Sequence, residues 1–361
     1  MFSGVSQQIG VIGFGLLGGV LSWVASAVAE EAKEDPVPVA PITAEPFHDW
    51  ADALRLSNNL IEVVVVPSIG RIAHIAWRDE PNLLRLDQEG QGANNETTAR
   101  GSWRDYGGDW VWPVARYHWP RFQEADWPPG RLLDGHGWSG RAWETEEGRQ
   151  FAMMTKEYEA PLNIRVTRTI VLPADQNAFE VRQQVTAMAP TEIPVALCQM
   201  LQLVDAQWSV LPVDSDSRFE RGYHVLAGDP PDAATFSRND NLWVYRVGSG
   251  AHGIGVDSAR RWIAAILDQT LLILRATPRE GDGPYPHDGC TVELHSRAGP
   301  NPLVALGVLS PEQPLDAEEQ IANVIHYEFH RLESSPATAA AAADVVREAL
   351  GEQPPEPEHE E

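Results

Sequence analysis

From Leu54 onward the chain alternates apolar and polar residues with a period of two, and turn formers break the pattern at short intervals. LRLS (54–57) and LIEVVVV (60–66) flank Asn58-Asn59, a pair that tolerates positive φ and predicts a hairpin. Pro67 to Gly70 turns the chain, and RIAHIAW (71–77) alternates again. The same signature predicts strands over 165–172, 179–186, 194–204, 242–247, 262–267, 270–276, 290–295 and 325–329. These runs are short, rich in β-branched residues and separated by turn residues. No helical period of ten or more residues interrupts them before Ala337. The pattern predicts an all-β antiparallel sandwich or barrel. No repeat of fixed period and no internal linker is visible, so residues 47–333 read as one large domain.

The two ends carry other signals. Residues 9–29 are apolar throughout and close on Ala27-Val28-Ala29, a small-x-small site of the kind signal peptidases cleave. The eight residues before the run hold no Lys or Arg, and the run is long enough to span a bilayer. Residues 1–29 therefore read as a signal peptide or a membrane anchor. Either one exports the body to the periplasm, the cell envelope or the medium. Residues 30–46, with Pro36, Pro38, Pro41 and Pro46, read as a stiff linker. In the last segment, 334–361, Ala337 to Leu350 predicts an Ala-rich helix and GEQPPEPEHEE a disordered acidic tail.

Charge narrows the partners. Among 361 residues, 52 Asp and Glu stand against 27 Lys and Arg, a net charge of −25. Only a minority of that excess lies at the ends, so the folded body is itself acidic. It repels phosphate backbones, which argues against nucleic acid. It is equally unsuited to an anionic membrane surface, leaving the N-terminal anchor as the membrane contact. Two cysteines make neither a disulfide scaffold nor a cysteine zinc site; Cys198 and Cys290 either pair after export or remain buried thiols. Asn95-Glu96-Thr97 is a glycosylation sequon, relevant only in a host that glycosylates. No serine-hydrolase elbow, metalloprotease helix, phosphate loop or dinucleotide fingerprint occurs. No cofactor and no metal is expected.

Residues 101–143 break the strand pattern and read as a long irregular excursion. Seven of the 13 tryptophans fall there. Indole faces stack on pyranose rings while polar edges satisfy hydroxyls, so the segment has the ingredients of a saccharide site. Its candidates are Tyr106, Asp109, Trp112, Arg116, His118, Trp119, Trp127, Asp134 and His136. The competing reading is that the tryptophans plug the end of a wide sandwich. A second cluster is YPHDGCTVELH (285–295). On a strand, Glu293 and His295 share one face with Thr291, while Val292 and Leu294 take the other. A carboxylate beside an imidazole does acid–base work, holds a cation, or is an ordinary solvated pair. His74, among apolar neighbours, reads as structural.

The order of these pieces resembles the galactose mutarotase-like superfamily, and within it a bacterial family of unassigned function. The resemblance rests on N59-L-I-E-V-V-V-V-P-S-I-G-R-I-A, D105-Y-G-G-D-W-V-W-P, W127-P-P with Asp134, T167-R-T-I-V-L, W262-I-A-A, Y285-P-H-D-G-C-T-V-E and L309-S-P, spanning about residues 54–330. It implies an antiparallel β-supersandwich with a sugar-sized cleft on a concave sheet face. Mutarotases open and reclose a sugar ring with a histidine on a central strand and a glutamate late in the chain. Here the central stretch P194-V-A-L-C-Q-M-L-Q-L offers Gln199 and Gln202, and Ala305 and Gly307 stand where late acids are expected. The best substitutes for catalysis are Glu293 with His295 or His287. The resulting expectation is an exported saccharide-binding protein of the galactose mutarotase-like class, with epimerase-type catalysis left open. The alternatives are a non-catalytic recognition or scaffold protein of the cell envelope, and a glycan-cleaving lyase or hydrolase.

Overall fold

The computed structural model describes residues 39–87, 103–124, 127–134, 137–248, 250–277, 283–299 and 303–352. The export segment, most of the linker, the sequon, His136 and the end of the acidic tail lie outside these residues. In chain order the strands are β1 (Ala40–Ile42), β2 (Glu45–Phe47), β3 (Trp50–Ser57), β4 (Ile61–Val66), β5 (Arg71–Trp77), β6 (Asp109–Trp112), β7 (Ser139–Glu144), β8 (Gln150–Tyr158), β9 (Ile164–Leu172), β10 (Ala178–Ala187) and β11 (Cys198–Leu203). They continue with β12 (Trp208–Pro212), β13 (His224–Gly228), β14 (Phe236–Asn239), β15 (Leu242–Arg246), β16 (His252–Val256), β17 (Trp262–Leu267), β18 (Thr270–Ala276), β19 (Val292–Arg297), β20 (Leu303–Leu309) and β21 (Gln320–Arg331).

Eleven strands form one sheet in the order β1-β7-β8-β9-β10-β21-β18-β17-β12-β15-β14. Ten form the other, β13-β16-β19-β20-β11-β6-β5-β4-β3-β2, and the pairings are antiparallel. The expected all-β antiparallel architecture is present. The period-two pattern builds it: β10 alternates half-buried and buried residues along its whole length, as a strand with one covered face must. The buried residues of both sheets meet in a common core, where Leu201, Leu294 and Leu306 of one sheet join Ile170, Val181 and Leu274 of the other.

A polar seam crosses this interior. On the eleven-stranded sheet, Arg168, Gln183 and Asn323 stand in register on β9, β10 and β21. Val166, Val185 and Ile321 on one side of that row belong to one apolar cluster; Ile170, Val181 and Ile325 on the other side belong to another. The fully buried Arg168 guanidinium pairs with the fully buried Asp109 carboxylate, reaching across from β6 of the opposite sheet. Asp109 also accepts from Gln199 at 2.6 Å and from the Tyr327 hydroxyl. Gln199 in turn accepts from Gln183 at 3.1 Å.

Two sequence expectations change here. The 101–143 segment is not wholly irregular: Asp109–Trp112 is an inner strand of the ten-stranded sheet, and Ser139–Glu144 pairs with β8. β1 and β2 fall in the stretch read as linker, where they pair with β7 and β3. The C-terminal helix runs Ala339–Leu350, with Thr338 as its N-cap and left-handed Gly351 as its end. It lays Ala342, Ala343 and Val346 on Trp208, Val244 and Trp262. Among the described residues, no helix is long and apolar enough to cross a membrane.

Candidate functional site

The residues that point away from the inter-sheet core on the ten-stranded sheet build the site. On β19, Val292 and Leu294 enter the core, while Glu293 and His295 face outward as the alternation requires. Across the sheet, Glu293 is flanked by Gly307 of β20 and Gly255 of β16. A side chain at either glycine is excluded by close neighbours. A Cβ at Gly307 would lie 2.9 Å from the Met200 sulfur and 3.1 Å from Glu293 Cβ. One at Gly255 would lie 2.4 Å from the Cys290 sulfur.

The Glu293 carboxylate is buried and held at both oxygens. Oε1 accepts from His287 Nδ1, and Oε2 from His295 Nε2 at 3.0 Å. Burial alone would raise its pKa; the two imidazole hydrogen bonds outweigh it and hold the group at about 2. For His287, burial works to lower the pKa, but the hydrogen bond to Glu293 and the charges of Glu293 and Glu312 raise it. A backbone turn sets this ring. His287 and Asp288 have φ of 52° and 61°, left-handed values rare outside glycine, and Gly289 follows at 104°. The Cys290 thiol donates to His287 O at 3.1 Å, and a Cβ at Gly289 would strike the Arg218 guanidinium at 2.5 Å.

His287 opens onto a cleft of about 590 Å³, with Tyr117, Tyr285, Glu312, Arg218 and His224 among its walls. Tyr117 lies on the second turn-like element of the site, the 3-10 helix Arg116–Arg121. Its hydroxyl donates to Glu312 Oε1, while Glu312 Oε2 lies 3.2 Å from His118 Nε2. The Tyr117 and His287 rings are 5.4 Å apart. Burial, then the hydrogen bond to Glu312, pushes the Tyr117 pKa far up.

The other sequence candidates lie elsewhere. Trp112 is buried in an edge-to-face cluster with Trp110 at 5.3 Å and Trp119 at 5.0 Å. Trp127 caps that cluster, is 43% exposed, and carries the Arg116 guanidinium 5.1 Å over its ring. Asp109 belongs to the interior seam. Asp134 is buried and accepts from Arg71 and from Trp103 Nε1, each at 2.6 Å. Tyr106 is buried against Trp50, and burial, then the nearby Asp134 charge, pushes its pKa up to about 12. Glu293, His295 and His287 are thus brought together, whereas the segment's candidates divide between the cleft margin, a tryptophan cluster and two buried ion pairs. His74 is half-buried beside Glu62 at 3.4 Å, but Glu62 also binds Arg55; burial, then Arg55, lowers the His74 pKa to about 4. Cys198 and Cys290 are both free and buried.

Tyr117, Glu312, Arg218 and His224 were not among the residues the sequence singled out. Tyr117 neighbours two that were, Arg116 and His118. Glu312 follows L309-S-P directly. Among the described residues, no cluster of three or more His, Cys, Asp or Glu suits a metal ion.

No family model and no curated protein sequence matches the chain. Solved structures do. The Slr1438 protein of Synechocystis sp. PCC 6803 aligns over 80% of this chain and 98% of its own, at 11% identity and a TM-score of 0.51. A TPR-domain containing protein of Parabacteroides distasonis aligns over 84% of this chain and 55% of its own, at 13% identity and 0.52. A galactose mutarotase-like protein of Lactobacillus casei aligns over 77% of this chain and 100% of its own, at 10% identity and 0.48. At such identities the likeness is one of fold.

Proposed function

We propose that the cleft binds a saccharide and that His287, backed by Glu293, exchanges protons with it in an aldose-epimerase type of reaction. The observation that carries the reading is the position of Glu293. The resemblance expects a late acid at Ala305 or Gly307; Glu293 stands directly opposite Gly307 on the neighbouring strand and His295 opposite Ala305. The carboxylate stands one strand over from the expected position, and the glycine leaves it room. Held at both oxygens, Glu293 is a weak base. Its work is to orient the His287 imidazole and stabilise its charged form, which leaves Nε2 for the ligand. Tyr117 and Tyr285 offer apolar ring faces to a pyranose, and Arg218 and His224 offer donors to its hydroxyls.

One observation favours recognition without turnover. The central strand turns Gln199 into the core, so no imidazole replaces the expected histidine there. A glycan array probed with residues 30–361, followed by polarimetry of the α anomers of every sugar retained, separates the readings. At least one pyranose is expected to bind and to interconvert faster. His287→Gln should slow that step roughly 10²–10⁴-fold with binding kept. Binding without acceleration selects recognition; no saccharide bound at millimolar concentration overturns the proposal.

A further inference from the structure

We infer that Tyr117 is the second proton-transfer residue of the cleft, relaying a proton between the anomeric hydroxyl of a bound sugar and Glu312, beside His287. The inference rests on the saccharide reading of the same site and supplies the partner that reading lacks.

Two carboxylates are built alike beside this cleft. Glu293 holds His287 and His295; Glu312 holds Tyr117 and His118. In each pair one ring lines the cleft, and these two rings, His287 and Tyr117, stand side by side, edge to face, with centroids 5.4 Å apart. Consecutive residues of one 3-10 helix, Tyr117 and His118, grip both oxygens of Glu312. The Glu312 backbone is tied to the turn that carries His287, because Glu312 N donates to Pro284 O at 2.8 Å. The two units are therefore fixed relative to each other by main-chain contact. Tyr117 is 47% exposed despite its hydroxyl bond, so its ring is open to a ligand while its proton already points at an acceptor. A phenol this firmly protonated does not act as a base by itself. It carries a proton only by passing its own to Glu312.

The step balances without another reactant. The proton on O1 of the sugar goes to Tyr117 Oη as the Tyr117 proton goes to Glu312 Oε1. The C1–O5 bond breaks, its electron pair stays on O5, and C1=O forms. O5 takes the proton of the His287 imidazolium at Nε2. Rotation about C1–C2 and the reverse steps give the other anomer and restore both residues. Tyr117 and His287 touch the sugar; Glu312 and Glu293 act through them as positioning residues.

The test is polarimetry of an α-aldose panel with the full chain, comparing wild type, Tyr117→Phe and Glu312→Gln at matched folding by circular dichroism. Each variant should lose roughly 10²–10⁴-fold in kcat with KM within about threefold, and the double variant should be little worse than either alone. A loss in KM with kcat kept is the signature of a binding residue and overturns the relay. So does Tyr117→Phe turning over within twofold of wild type. If Tyr117→Phe does not fold, Glu312→Gln decides alone, since the amide oxygen still accepts from the phenol but takes no proton. A wild-type protein that binds a saccharide without accelerating it overturns the relay and leaves the binding reading standing. One that neither binds nor accelerates any aldose overturns both.

Discussion

Glu293 keeps its charge because two imidazoles reach it, and that makes its contribution to stability depend on pH in two windows. Its folded pKa lies below the ordinary carboxylate value, near 2. The stabilisation is thus complete above about pH 4.5 and is lost as pH falls toward 2. His287 has its pKa raised, so its share is complete below about pH 6.5 and is lost as pH climbs through the folded value. The pair is strongest between those limits. Glu293→Gln should remove about 3 kcal/mol near pH 5 and flatten both limbs of a urea-derived stability profile. A variant that reproduces the wild-type profile would show the contact to be energetically idle. At this scale the sequence was half legible. Strand alternation alone puts Glu293 and His295 on one face. The link to His287 depends on a left-handed turn, and Tyr117 meets Glu312 from 195 residues away. Neither leaves a periodic trace.

Strands with one covered face, such as β9 and β10, show in the sequence as alternation, and the fully buried β17 shows as a short apolar run between turns. Asp109–Trp112 escaped because it is buried on both faces and also too short and too poor in β-branched residues to read as an apolar run: Asp109 enters the interior, and Trp110 and Trp112 lie under the packed tryptophans. A strand with no solvent face has no alternation to read. β8, QFAMMTKEY, hides for another reason, since Met, Lys and Glu carry little strand preference. The C-terminal helix was visible in outline over 337–350, and Thr338 marks its start two residues inside the first boundary. Its grip on the sheet is a strip of alanines with no room for larger side chains. Ala343→Glu should therefore detach it, lowering stability by roughly 2–4 kcal/mol and exposing Trp208 and Trp262 to a fluorescence quencher. Unchanged quenching would place the helix's hold elsewhere, for instance on the buried Arg347, which bonds Asn239 and Asp240.

For the molecule as a whole, the sandwich was legible because its core follows from alternation; the site was less so because it is assembled between distant strands. Export is the proposal that the described residues leave open. Mass spectrometry of the native protein should find an N-terminus near Glu30 or a retained membrane anchor, and an intact soluble chain in the cytoplasm would end it. The seam through the interior bears on how two large sheets find one arrangement. Apolar faces are permissive: a sheet displaced by two residues still buries Val and Ile against Val and Ile. Asp109 is not permissive. Displaced by two residues, it would face Val166 or Ile170 in place of Arg168, and both charges would be buried without an ionic partner at a cost of several kcal/mol. The interior thereby penalises any alignment that parts the cross-sheet arginine from its aspartate.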